Sequence, residues 1–154
     1  LFRSLAAPNM GVYNVSKHAV VALSETLYQD LQLVTHQVGA SVLCPYFVPT
    51  GISQSHRNRP ADMAAHKPTP SQLIGQAMSD KAVGSGKVSA AEVAHKVFDA
   101  VQAGAFYIYS HPQALNLVAQ RMQAVVAGTN PPDPFETRPE LGASLRQALR
   151  NTES

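Results

Sequence analysis

Tyr13 and Lys17, in the run Gly11-Val12-Tyr13-Asn14-Val15-Ser16-Lys17-His18-Ala19-Val20, are the residues of this chain best suited to chemistry. A phenol and an ammonium at positions i and i+4 of a helix share a face, with Cβ atoms roughly 5–6 Å apart. A cation so placed favours the phenolate, and the two groups can work as one acid–base unit. An unperturbed tyrosine titrates near ~10 and is only about 0.1% ionised at neutral pH. Reaching ~7 takes about 4 kcal/mol of preferential stabilisation of the anion, and proton transfer is most effective with a catalytic pKa near the working pH. A partly desolvated lysine helped by a cofactor charge could supply much of this. The same spacing also suits plain packing, with the tyrosine in a core and the lysine stem over it.

The elements that would position this pair can be read from periodicity. Apolar residues recur at Val12, Val15, Ala19, Ala22, Leu23, Leu27, Leu31 and Val34, which predicts a helix from about Gly11 to about His36. Val20, Val21, Tyr28 and Leu33 widen the stripe and imply burial on two sides, against a sheet and against another helix or subunit. Gly39 breaks the pattern, and Ala40 to Cys44 read as a short buried parallel strand. Pro45 and Pro49 make residues 45–51 a loop. The polar segment from Ser53 to Pro70, with three prolines, reads as a mobile excursion. A helix over about Ser71 to Lys81 follows, and Gly84-Ser85-Gly86 reads as a flexible linker. Ser89-Ala90-Ala91-Glu92 has capping-box spacing and opens a helix through Val101 closed by Gly104. Ala105 to Tyr109 is a second strand, and a last helix from about Gln113 to Ala127 ends at Gly128. The Pro-rich tail from Thr129 has room for a short helix over residues 141–149.

This alternation argues for an α/β fold, yet two strands make a poor sheet, since parallel sheets are covered on both faces. The chain opens at Leu1 without a methionine, so a piece of a longer protein is expected. Composition bounds the rest. A net charge of +2, with 14% charged residues and no Lys/Arg run, argues against a nucleic-acid partner. The single Cys44 allows no intrachain disulfide and suits a reducing compartment. With no apolar stretch near the ~20 residues of a membrane span and no secretory leader pattern, a cytoplasmic protein without membrane attachment is expected.

The run from Gly11 to Ala19, followed after one helix and one strand by Leu43-Cys44-Pro45-Tyr46-Phe47-Val48-Pro49-Thr50, resembles the C-terminal half of the short-chain dehydrogenase/reductase family. The resemblance covers roughly Met10 to His111 and implies the C-terminal part of a doubly wound, Rossmann-type parallel sheet. On that basis residues 1–128 would be half of an NAD(P)-binding domain and 129–154 a tail. It implies hydride transfer between NAD or NADP and an alcohol or carbonyl substrate. Tyr13 would be the general acid or base, and Lys17 would assist it and bind the nicotinamide ribose. Pro45, Tyr46, Val48 and Thr50 would form the cofactor loop, with the Val48 backbone on the carboxamide and the Thr50 hydroxyl helping to fix the cofactor. The family also implies a homodimer or homotetramer with the Tyr13 helix at a subunit interface.

Three departures matter. The loop's usual Gly is Tyr46, which is strained if the position requires a positive φ and otherwise lines the substrate pocket. No phosphate-cradling glycine motif occurs in the chain. At the family's spacing the catalytic Ser falls ahead of Leu1; Ser4 does not match it, and the family's catalytic Asn is also missing. A truncated, non-catalytic module or an oligomerisation piece is the alternative. The six histidines share no metal-ligand spacing with each other or with Cys44, so no metal is expected. Ser16 reads as a helix-surface residue. Met63, Ile74 and Met78 suit helix packing better than contact with an apolar substrate.

Overall fold

A computed structural model describes residues 8–63 and 67–150. Helix α1 spans Gly11–Val34 and strand β1 Val42–Cys44. Helix α2 covers Pro70–Gly84 and α3 Ala90–Gln102; strand β2 is Tyr107–Tyr109. Helix α4 is Leu115–Ala127 and α5 Pro139–Arg150. The two strands pair in parallel, with Val42 opposite Tyr107, Leu43 opposite Ile108 and Cys44 opposite Tyr109. Val42, Cys44, Ile108 and, from α3, Val93 are the buried apolar residues among those described.

The α/β class and the element order are those read from the sequence, with shorter strands and shifted ends. β1 and β2 each keep three residues, because the flanking Ala40, Ser41, Ala105 and Phe106 make no full ladder. α1 stops at Val34, where Thr35 turns to extended backbone. α2 runs three residues past Lys81 to Gly84, so that glycine closes a helix instead of opening a linker. The excursion is partly ordered: 3-10 turns occupy Gly51–Asn58 and Ala61–Met63, while residues 64–66 lie outside the described set. A 3-10 turn over Pro112–Ala114 leads into α4, and Gly104 and Gly128 both stand at positive φ after their helices. The tail forms α5, whose Gly142 lets Phe135 close on it: a Cβ there would stand 3.1 Å from the ring.

The Ser89 capping box is present, with the Ser89 hydroxyl accepting from the Glu92 N–H at 3.2 Å and the Glu92 carboxylate accepting from the Ser89 N–H at 2.7 Å. Those bonds hold the Glu92 carboxyl below its ordinary value. Thr69 and Gln72 build the same device at the start of α2, a signal that Thr-Pro-Ser-Gln carries in the sequence as well.

Two contacts orient α1 on the sheet. The Tyr107 hydroxyl donates to Glu25 Oε1 at 2.6 Å, and the Tyr28 and Phe106 rings meet at 5.0 Å. Moving forward along the helix from Glu25 to Tyr28 moves backward along the strand, so α1 runs antiparallel to β2. Its N-terminal end, carrying Tyr13 and Lys17, therefore projects past the carboxyl ends of the strands. From Glu25 to Tyr13 is about 18 Å of helix, against about 10 Å from Tyr107 to the end of the extended chain.

Candidate active site

Tyr13 lies in the first turn of α1 and Lys17 one turn on, and the Lys17 ammonium stands 5.3 Å from the centre of the Tyr13 ring. That is within range for attraction between a cation and an aromatic face. Tyr13 is 37% exposed and Lys17 half-buried, so the pair shares one face and opens outward. The Ser16 hydroxyl donates to the Tyr13 carbonyl at 2.8 Å, a bond within its own helix.

The loop that follows β1 carries the other expected residues. Pro45, Tyr46 and Val48 are half-buried and Thr50 is exposed. Asn9 is the non-glycine residue with positive φ among those described, so Tyr46 keeps ordinary backbone and carries no left-handed strain. Its ring instead packs against Phe47 at 4.4 Å and meets His111 edge-on at 5.7 Å. The loop leaves the carboxyl end of a parallel strand, where open α/β sheets bind their ligands.

Two bonds to α2 draw the loop and the Tyr13 turn toward one another. Asn9, just ahead of α1, donates from Nδ2 to the Ser71 carbonyl at 3.3 Å. Gln76 Nε2 donates to the Ser53 carbonyl at 2.6 Å. Ser71 and Gln76 are five residues apart, about 7.5 Å along the helix axis. One helix therefore anchors the segment leading into Tyr13 and the segment leading out of Thr50.

Sequence reasoning missed a second set of supports. Ser110, 1% exposed, accepts from the Tyr46 N–H at 2.9 Å through its hydroxyl, which also lies 2.8 Å from His111 Nδ1. The Lys96 ammonium donates to the Ser110 carbonyl at 2.8 Å. Burial, reinforced by the Lys96 charge, pushes the His111 imidazole below its ordinary value. Gly86 fits against the loop itself: a Cβ there would stand 2.5 Å from the Phe47 carbonyl oxygen and 2.8 Å from Pro49 Cδ. Position was the available signal for Ser110 and His111, since both directly follow the strand end. Gly86 offered none, because close approach of two backbones leaves no trace in local sequence.

A separate cleft of about 520 Å³, lined by Tyr28, His36, Leu43, Val97, Val101 and Ile108, lies toward the other end of α1. Tyr28 is about 22 Å along the helix from Tyr13, so this cleft is not part of the Tyr13 site. No group of three or more His, Cys, Asp or Glu residues able to hold a metal comes together among the described residues.

No protein-family model matches the chain. A protein described as a CLA biosynthesis dehydrogenase/reductase, from Lactiplantibacillus plantarum, is 30% identical over 128 residues, which are 80% of this chain and 44% of that protein. The crystal structure of a short-chain dehydrogenase/reductase from Burkholderia phymatum, in complex with NAD, matches with a TM-score of 0.82 and 46% identity, over 85% of this chain and 47% of the other. The chain thus spans about half the length of these relatives.

Proposed function

We propose that the chain, similar to these short-chain dehydrogenase/reductases over about half their length, supplies the proton-transfer site and the nicotinamide loop of an NAD(P)-dependent oxidoreductase acting on an alcohol or carbonyl. The observation that carries this reading is the exposed Tyr13 ring with the Lys17 ammonium 5.3 Å from its centre. The NAD bound by the Burkholderia phymatum relative supports the choice of cofactor.

The residues present suit such a group. Tyr13 gives a proton to the oxygen of a carbonyl during reduction, or takes one from an alcohol during oxidation. Lys17 steadies the charge on the phenol oxygen and offers three N–H donors to ribose hydroxyls. Pro45, Tyr46, Val48 and Thr50 would hold the carboxamide end through loop backbone groups, with the Thr50 hydroxyl helping to fix the cofactor. The nicotinamide, when bound, accepts or donates the hydride. A cytoplasmic setting, with the Cys44 thiol reduced, goes with this reading; among the described residues no helix is long and apolar enough to cross a membrane. The outer face of α1, where Val12, Val15 and Leu23 are each at least 71% exposed, is the surface we assign to contact between subunits of a dimer or tetramer.

The test uses the natural full-length protein. It should consume NADH or NADPH with a carbonyl substrate, and Tyr13→Phe should lower kcat by about 10²–10⁴-fold with unchanged thermal stability. Undiminished turnover in Tyr13→Phe would overturn the assignment. Absence of dinucleotide binding by the intact protein would favour the non-catalytic alternative.

A further inference from the structure

We propose that Ser110 and His111 are positioning residues for the nicotinamide end of the dinucleotide, acting through the backbone of Tyr46. This rests on the reading above, in which residues 45–50 meet the cofactor.

The argument begins with hydrogen-bond accounting. Ser110 is almost fully enclosed, and its hydroxyl has two jobs. It accepts the Tyr46 N–H at 2.9 Å and shares a second hydrogen bond with His111 Nδ1 at 2.8 Å. The arrangement is directional: each partner fixes the orientation of the next, from imidazole to hydroxyl to main-chain amide. The carbonyl of Ser110 is held from the other side by Lys96 Nζ at 2.8 Å, so the serine cannot drift with the loop. The His111 ring adds an edge-on contact to the Tyr46 ring at 5.7 Å.

Tyr46 is thus held at its amide and at its side chain by two consecutive residues of β2's carboxyl end. Its bulk is what makes the second contact possible, since a glycine at that position could use the serine but not the histidine. The pair therefore sets where the loop's backbone groups lie relative to Tyr13. Nothing in it reaches toward the adenosine end of a dinucleotide, which would be bound by residues this chain does not contain.

That asymmetry supplies the experiment. In the full-length protein, dissociation constants are measured by calorimetry for two probes: NADH, and ADP-ribose, which lacks the nicotinamide ring. Ser110→Ala should weaken NADH by about tenfold, the effect of leaving one sheltered amide without its partner. ADP-ribose should stay within about twofold of wild type, and Ser110→Thr, which restores the hydroxyl, should recover most of the NADH affinity. His111→Phe keeps a ring against Tyr46 but removes the Nδ1 bond to Ser110, and should shift NADH in the same direction by a smaller factor. It serves as the deciding variant if Ser110→Ala does not fold. Equal weakening of both probes, or no change in either, overturns the proposal. If the wild-type protein binds neither probe, the cofactor reading itself fails and takes this one with it.

Discussion

The hydroxyl of Tyr107 donates to the Glu25 carboxylate, and this bond makes one α1-to-sheet contact sensitive to pH. The carboxylate, then burial, pushes the Tyr107 phenol up to about 12. A folded-state pKa above the unfolded value near ~10 contributes stability that is fully present below that value and is lost as pH rises toward 12. Tyr107 is 45% exposed, so the contribution is screened and stays under about 1 kcal/mol. Melting temperatures of wild type and Tyr107→Phe across pH 8–12 should differ at the acid end of that range and converge at the alkaline end. A constant difference would remove the bond as its source. The placing of Tyr13 and Lys17 one turn apart on a helix, and of residues 45–50 in a loop, was legible because helical spacing and paired prolines are local signals. The role of Tyr46 was not legible. Whether a bulky residue is strained depends on φ, and its partner His111 is sixty-five positions away.

Among elements, the helices were the easiest to foresee. Ser89 with Glu92, and Gly104 after α3, mark their ends through bonds between near neighbours. Strand lengths were harder, because a ladder's extent depends on which distant residues pair with it. Gly84-Ser85-Gly86 shows the limit of local reading. A flexible linker and a glycine pressed against another backbone have the same sequence, and Gly86 is the second kind. Its missing Cβ would collide with the Phe47 carbonyl and Pro49, and neither atom sits at the end of a movable side chain. Gly86→Ala should therefore destabilise the protein by about 1–3 kcal/mol, read as a lower denaturant midpoint, and should displace residues 47–49. Gly84→Ala, with open space around its position, should be near neutral by the same measurement. Equal effects would deny the special standing of Gly86.

For the whole molecule, the accessible surface is 11193 Å². A compact monomer of this mass would expose about 7,500 Å². α1 has no fully buried residue, and Leu27, Leu33 and Val34 are all at least half exposed. Surfaces like these are normally covered. In our reading the cover is the remainder of a dinucleotide-binding domain on one side and a second subunit on the other. The part of the Burkholderia phymatum relative with no counterpart here is a ready substitute for the first. Added as a separate polypeptide, it should raise the melting temperature of this chain, the rise growing with the logarithm of its concentration, as for any partner that binds only the folded form. No rise at a large excess would mean that α1 is covered some other way. The sequence hinted at this shortage through the two-sided apolar stripe of α1 and the scarcity of strands. It could not say which faces remain open, since that depends on how the elements dock.

The two-stranded sheet has one more consequence. β1 pairs with β2 along one side, and among the described residues nothing pairs along the other. That edge thus offers backbone groups to any extended peptide that passes, which is how sheets recruit strangers and how aggregates start. A strand seated there, in the same molecule or another, would close that edge and act as a chaperone as well as a structural neighbour.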